Sequence, residues 1–252
     1  MAGEIKYPRI LTAGDSCLIV EFGNEISMEI NRKVLSLKTD LEKKPFNGFM
    51  ETIPSYRSLA VCFDPAETDI QNLLSLLKNK CSRIDNASAA PEIKRTLILP
   101  TLYGGEFGWD IHSVASYTGL SLGQIIELHT QREYYCYMLG FTPGFAYLGG
   151  MDERLATPRL KEPRQTVPAG AVGIAGSQTG FYSISSPGGW QIIGRTPVIM
   201  FDPFRDPPFF LEAGMWVRFR PIKEDEFENI KEASEKKMFT PEILQEKLVT
   251  TS

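Results

Sequence analysis

Hydrophobic positions in the first ninety residues alternate between two periods. Ser16-Cys17-Leu18-Ile19-Val20-Glu21-Phe22 is rich in β-branched and apolar side chains and predicts a strand. Ile26, Ile30, Val34, Leu37 and Leu41 then recur at helical spacing, with charged residues between them. Tyr56 to Phe63 predicts another strand, and Ile70, Leu73, Leu74 and Leu77 an amphipathic helix ending near Lys78 and Lys80, where cations suit the carbonyl end. Strands alternating with two helices over so short a length imply a compact α+β layer pair for residues 1–90. The small, polar, Pro-terminated run from Asp85 to Pro91 is the expected linker.

The pattern then changes. Lys94 to Leu99 predicts a strand, Asp110 begins a helix, and Ser121 with Gln124 three residues on forms a capping-box signature for a helix carrying Ile125, Ile126 and Leu128 and ending near His129. From Tyr134 to Met200, 67 residues hold 11 of the 21 glycines but only 8 charged residues, so this backbone is shaped by turns. Short β-rich pieces (Tyr134 to Leu139, Ala171 to Ile174, Trp190 to Ile193, Pro197 to Phe201, Met215 to Arg220) between Gly/Pro turns imply a mainly-β barrel or sandwich over residues 91–222. Residues 223–252 are charged and helix-prone, with Phe227, Ile230 and Met238 as modest apolar anchors, and read as a C-terminal helix or tail.

Composition narrows the classes. At 252 residues the chain exceeds the ~150-residue prior for one domain, and its 42% hydrophobic and 23% charged content is that of a globular protein. A balance of 27 basic against 31 acidic side chains gives no bulk attraction for nucleic acid. Cys17, Cys62, Cys81 and Cys136 have no C-x-x-C pairing and are expected to be reduced and mostly buried. The first eight residues lack a signal-peptide order, and the long uncharged stretch Tyr134 to Met151 is broken by Gly140, Pro143, Gly144, Gly149 and Gly150, so a cytoplasmic chain without a membrane helix is expected.

No Walker P-loop, H-E-x-x-H or G-x-S-x-G is present, and with only His112 and His129 a multi-histidine metal site is excluded. Three stretches carry candidate chemistry. In Gly140-Phe141-Thr142-Pro143-Gly144-Phe145-Ala146-Tyr147, rings alternate with Gly and Pro, which suits either a close-approach binding loop or a packed barrel loop. Thr157 to Arg164 repeats Pro-Arg at a spacing of five, placing Arg159 and Arg164 where a guanidinium fork can meet a carboxylate or phosphate, although surface arginines are commonly only solvated. The third is Ser186-Pro187-Gly188-Gly189-Trp190-Gln191-Ile192-Ile193-Gly194-Arg195. Thirty uncharged residues separate Arg164 from Arg195, so a cleft there would feel mainly positive potential and suit a small anion. His129 is a general acid or base, a ligand donor, or a helix-end side chain interacting with the dipole.

In their order along the chain, Tyr137 to Leu148, Leu155-Ala156-Thr157-Pro158-Arg159, Val167-Pro168-Ala169-Gly170 and Ser186 to Pro197 resemble the 5-oxoprolinase B-subunit family, also called the KipI or allophanate hydrolase subunit 1 family. Ala13-Gly14-Asp15-Ser16 and Pro54 to Leu59 resemble its N-terminal part. The resemblance implies a small α/β domain followed by a cyclophilin-like β-barrel. It also implies work alongside the C and A subunits of 5-oxoprolinase in an assembly that hydrolyses 5-oxoproline (pyroglutamate) to glutamate at the expense of ATP, with Mg in the complex. It places Arg159, Arg164 and Arg195 at motif positions expected to hold substrate carboxylate or phosphoryl oxygens; His129, on its residue type alone, is a further catalytic candidate. Pro143, Phe145, Tyr147, Gln178, Gly188, Gly189, Trp190 and Gln191 are the expected substrate contacts, and no metal ligand set is expected. The alternative that the KipI name implies is a regulator that binds a sensor histidine kinase and blocks its autophosphorylation. A catalyst needs a furnished cleft and an inhibitor a surface, so convergence of the three loops discriminates between them.

Overall fold

The computed structural model describes residues 6–86 and 93–247, without the side chains at 85 and 86; most of the expected linker therefore lies outside the described residues. The chain divides into two compact units, Met1–Ala90 and Pro91–Ser252.

The first unit runs β1 (Arg9–Thr12), β2 (Cys17–Glu21), α1 (Met28–Lys43), β3 (Phe49–Pro54), β4 (Ser58–Phe63) and α2 (Ile70–Asn86). Its four strands form an antiparallel sheet in the order β1-β2-β4-β3. Leu18, Val20, Leu59, Val61 and Phe63 alternate onto one face of β2 and β4 and pack with Val34, Leu37 and Leu41 of α1 and Leu73, Leu77 and Cys81 of α2. Helix α1 opens at Ser27, whose side chain accepts from the Ile30 N–H, so Ile26 precedes the helix and is exposed. Strands β1 and β3 had no clear sequence signal because as edge strands they bury neither face in strict alternation.

The second unit runs β5 (Ile93–Tyr103), α3 (Ile111–Thr118), α4 (Leu122–Thr130), β6 (Tyr134–Leu139), β7 (Ala146–Gly149), β8 (Arg164–Val167), β9 (Ala171–Ala175), β10 (Gln178–Phe181), β11 (Ser186–Gly188), β12 (Gln191–Arg195), β13 (Trp216–Pro221), α5 (Glu224–Glu235) and β14 (Ile243–Lys247). Seven strands in the order β12-β9-β10-β7-β6-β13-β5 close into a barrel where β12 returns to β5 through Gly194↔Tyr103 and Arg195↔Leu102. Closure removes the open edges of a long sheet. Among the described strands only the β13–β5 pair is parallel. Strands β8 and β11 form a separate antiparallel ribbon.

The barrel core includes Leu97, Leu99, Tyr134, Leu148, Ile174, Phe181, Ile193, Val217 and Phe219, covered by Ile111 and Val114 of α3 and Ile125 and Leu128 of α4. The capping box of α4 forms as expected from Ser121 and Gln124. Two sequence expectations change. Pro197 to Phe201 forms no strand; its one pairing is an isolated bridge from Phe201 to Phe209. The C-terminal segment contains the expected helix, but Phe227 and Ile230 of α5 pack into the barrel core and β14 then pairs with β5, so the described part of the segment is integral to this unit. No helix among the described residues is long and apolar enough to cross a membrane.

Candidate functional site

The three stretches singled out in the sequence converge on one cleft of about 270 Å³ in the second unit. Phe141, Phe145 and Tyr147 come from the first stretch, Arg159 and Pro163 from the second, and Pro187 to Trp190 from the third; Tyr182 closes the base.

Phe145 organises the apolar wall. Its ring meets Tyr147, Tyr182 and Trp190 edge-to-face at centroid distances of 5.3, 5.4 and 5.4 Å, and Phe141 at 5.7 Å. Edge-to-face pairs of this kind contribute about 0.5–1.5 kcal/mol each beyond burial, so the wall is preorganised. Phe145, Tyr182 and Trp190 share a small apolar core with Val167, Ala171, Ala175 and Ile192 beneath the cleft. Phe141 is different: it is 71% exposed and holds a left-handed φ of 64°, which a bulky residue adopts only when the loop imposes it.

The Arg159 segment is a strap fixed at several points. Thr157 and Gly176 exchange backbone hydrogen bonds, Leu160 N–H donates to Gly189 O (2.7 Å), and Gln191 Nε2 donates to Pro158 O (3.0 Å). The backbone under Arg159 is therefore held while its side chain stays exposed at the cleft. Burial pushes the Tyr182 phenol up, and the Trp190 backbone N–H, Arg159 and Arg164 act against that shift, so both guanidiniums contribute positive potential at the cleft floor.

Arg164 does not line the cleft. Its Nη2 donates to Asp110 Oδ1 at 2.6 Å, Nη1 reaches Trp190 O at 3.4 Å, and the guanidinium lies 5.2 Å from the Trp109 ring centroid. Asp110 sits at the start of α3 but caps nothing with its side chain; the carboxylate accepts from Arg164 and from Ile192 N–H (2.7 Å) instead. This pair ties the Arg159 strap and β12 to α3. A double-mutant cycle with Asp110→Ala and Arg164→Ala is expected to give a coupling energy of about 1–3 kcal/mol in chemical denaturation. Additive losses would show that the pair does not act as a unit.

Gly188 marks a close approach. A Cβ there would overlap the hydroxyl oxygen of Tyr182, and Tyr182 is nearly fully buried. Gly188→Ala should displace the ring and cost about 1–3 kcal/mol by overpacking, read as a lower thermal midpoint together with a changed near-ultraviolet aromatic signal. An unchanged spectrum and midpoint would contradict this packing.

The remaining expected site residues stand apart. Arg195 donates from Nε to Ala169 O (3.0 Å) and is not among the cleft-lining residues. Pro143 and Gln178 do not line the cleft either, and Gln191 is buried and serves the strap from behind. His129 is fully buried inside the barrel. Its Nε2 is 2.7 Å from Thr179 Oγ1, whose hydroxyl donates to Gly173 O, so Nε2 carries the proton and Nδ1 accepts from the Tyr103 hydroxyl at 2.7 Å. Burial pushes the imidazole down to about 3, so it stays neutral. The helix-end dipole reading changes accordingly, because a neutral ring enclosed by Tyr103, Tyr134 and Phe219 is a packed core group. Sequence reasoning overlooked Asp110 as an anchor and Tyr182 as the floor. Tyr182, as a ring in the thirty-residue uncharged stretch, left a usable signal; Asp110 was masked by its helix-start position.

Residues 8–211 match the family described as carboxyltransferase domain, subdomain C and D. The chain is 43% identical to the 5-oxoprolinase B subunit of Bacillus subtilis over 238 residues, covering 91% of this chain and 99% of that protein. It is 38% identical to the 5-oxoprolinase B subunit of Escherichia coli O157:H7 over 220 residues, covering 87% and 99%. Among solved structures, the urea carboxylase of Kluyveromyces lactis superposes with a TM-score of 0.75 at 22% identity, over 94% of this chain and 24% of that one, a likeness of fold. The motifs, the colinear relatives and the matched carboxyltransferase subdomains together place this chain in the 5-oxoprolinase B-subunit family.

Proposed function

We propose that this chain is one component of an ATP-dependent 5-oxoprolinase and that its cleft receives the cyclic amide, a five-membered lactam bearing a carboxylate. The observation that carries this reading is the pairing of a preorganised aromatic wall with one exposed guanidinium, Arg159, on a strap fixed at both sides. A compact five-membered ring with one anionic substituent matches that arrangement: the aromatic wall packs against the methylene carbons of the lactam while the Arg159 fork takes the carboxylate. Holding the carboxylate fixes the amide carbon and oxygen for attack, which is the positional part of catalysis.

ATP with Mg²⁺ would supply the phosphoryl group that activates the lactam oxygen. The cleft does not fit it. About 270 Å³ lies just below the usual range of ligand pockets (~300–1,000 Å³), which suits the small amide and not that amide together with a nucleotide. In this reading the nucleotide is held outside this cleft, and we assign it to a partner protein homologous to the A or the C subunits of 5-oxoprolinase.

The cleft is open on one side, with exposed Phe141 at its rim, and a partner closing that side would exclude water and strengthen the Arg159 contact. Convergence of the three loops is the reason for placing catalysis ahead of kinase regulation. The test is reconstitution: this chain with homologues of the A and C subunits, ATP, Mg²⁺ and 5-oxoproline is expected to release glutamate, and omission of this chain to abolish it. Glutamate release at an equal rate without this chain would overturn the proposal.

A further inference from the structure

We propose that Cys17 and Cys62 are a reversible dithiol modification site that closes into an intramolecular disulfide on reaction with a low-molecular-weight disulfide. The two residues stand directly opposite each other in β2 and β4, with their sulfurs 2.8 Å apart. Phe63 N–H donates to Ser16 O and Phe22 N–H to Arg57 O, each at 2.9 Å, which makes Ser16/Phe63 and Phe22/Arg57 hydrogen-bonded pairs. Alternation along the ladder then makes Cys17/Cys62 a non-hydrogen-bonded pair, where facing Cα atoms are ~4.5 Å apart and side chains are closest. That separation falls inside the ~4.4–6.8 Å range a disulfide spans, so closure needs rotation of side chains and no strand movement.

Access separates this pair from the other thiols. Leu18, Val20 and Val61 carry the helix-covered face of the sheet, while Cys17 and Cys62 point to the opposite face and are partly exposed. Cys81 and Cys136 are buried, at 2% and 0% exposure, and act as internal controls.

The chemistry balances as two exchanges. The thiolate of one of the two residues attacks one sulfur of R–S–S–R, displacing RS⁻ and forming a mixed disulfide. The thiolate of the other residue then attacks the modified sulfur, forming the protein S–S bond between Cys17 and Cys62 and displacing the second RS⁻. Two protein thiols lose two protons and two electrons, and the reagent is reduced to two R–SH. Burial first, then the hydrogen bond with Cys17, pushes the Cys62 thiol up to about 11.

The test treats the full, folded chain with 2-hydroxyethyl disulfide, then alkylates the remaining thiols in denaturant and maps the peptides by mass. The expected result is a fall from four alkylatable thiols to two, a linked Cys17–Cys62 peptide pair two hydrogens lighter than the thiol forms, and recovery of all four thiols with dithiothreitol. Cys62→Ser is expected to retain a mixed disulfide at Cys17. Four free thiols in the treated wild-type chain, or separate mixed adducts on Cys17 and Cys62 with no link, would overturn the proposal. Should the serine variant misfold by circular dichroism, the wild-type map alone decides.

Discussion

His129→Leu is expected to lower stability by about 2–4 kcal/mol at pH 7 and to remove most of the chain's sensitivity to mild acid. The substitution leaves the buried Tyr103 hydroxyl without its acceptor and takes the Nε2–H donor from Thr179. Acid sensitivity follows from linkage. The folded imidazole is held neutral down to about 3 by burial, whereas in the unfolded chain it takes up a proton near 6.5. The unfolded state therefore binds more protons between those values. Stability is full above about pH 6.5, declines as pH falls through that value, and goes on declining until about 3. Between pH 7 and 4.5 this amounts to about 2–3 kcal/mol. The Asp152 carboxyl is held below the usual range by Arg154, and Asp202 by Lys237; stability from these groups is present above ~4 and lost only at lower pH. Urea midpoints at pH 7 and 4.5 thus isolate the imidazole. A wild-type slope that persists in His129→Leu would show that another group carries it.

The second large effect concerns turnover. Arg159→Ala in the assembled enzyme is expected to reduce kcat/KM for 5-oxoproline about 10²-fold, or ~2.7 kcal/mol, with chain stability within about 0.5 kcal/mol of wild type because the side chain is exposed. Arg159→Lys keeps the charge and loses the planar fork, so about a tenfold loss is expected. Arg195→Ala should leave kcat/KM within about threefold, since that guanidinium is tied to Ala169 O and is absent from the lining of the cleft. Steady-state kinetics on the three variants orders them. Equal losses at 159 and 195 would contradict the assignment of the carboxylate to Arg159.

Much of the architecture was legible in the chain. Val34, Leu37 and Leu41, or Leu73 and Leu77, recur at helical spacing because α1 and α2 each bury one stripe on a sheet. Ser121 and Gln124 revealed the start of α4 because capping is a local matter. Strands β7, β8, β10 and β11 were less visible, since they are only three or four residues long, too short for a period to register. Strand β9 was legible from its apolar run, Ala171 to Ile174, although burial at every position erases the period that marks a half-exposed strand. Convergence of the three loops followed from their unusual composition, but the direction of each arginine did not. Arg164 is turned by Asp110, 54 residues earlier, and His129 is enclosed by side chains from β5, β6, β10 and β13, contacts that only barrel closure creates.

If Arg159 grips the carboxylate of a lactam in the aromatic cleft, the side chain and the carboxylate form one interaction that either change deletes. Turnover of 5-oxoproline and of 2-pyrrolidinone, the same ring without the carboxylate, by the wild-type and Arg159→Ala assemblies measures this through a cycle of kcat/KM values. Removing the carboxylate is expected to cost the wild-type enzyme about 10²-fold and the variant almost nothing. Equal losses in both assemblies would place the carboxylate elsewhere and contradict the grip of Arg159.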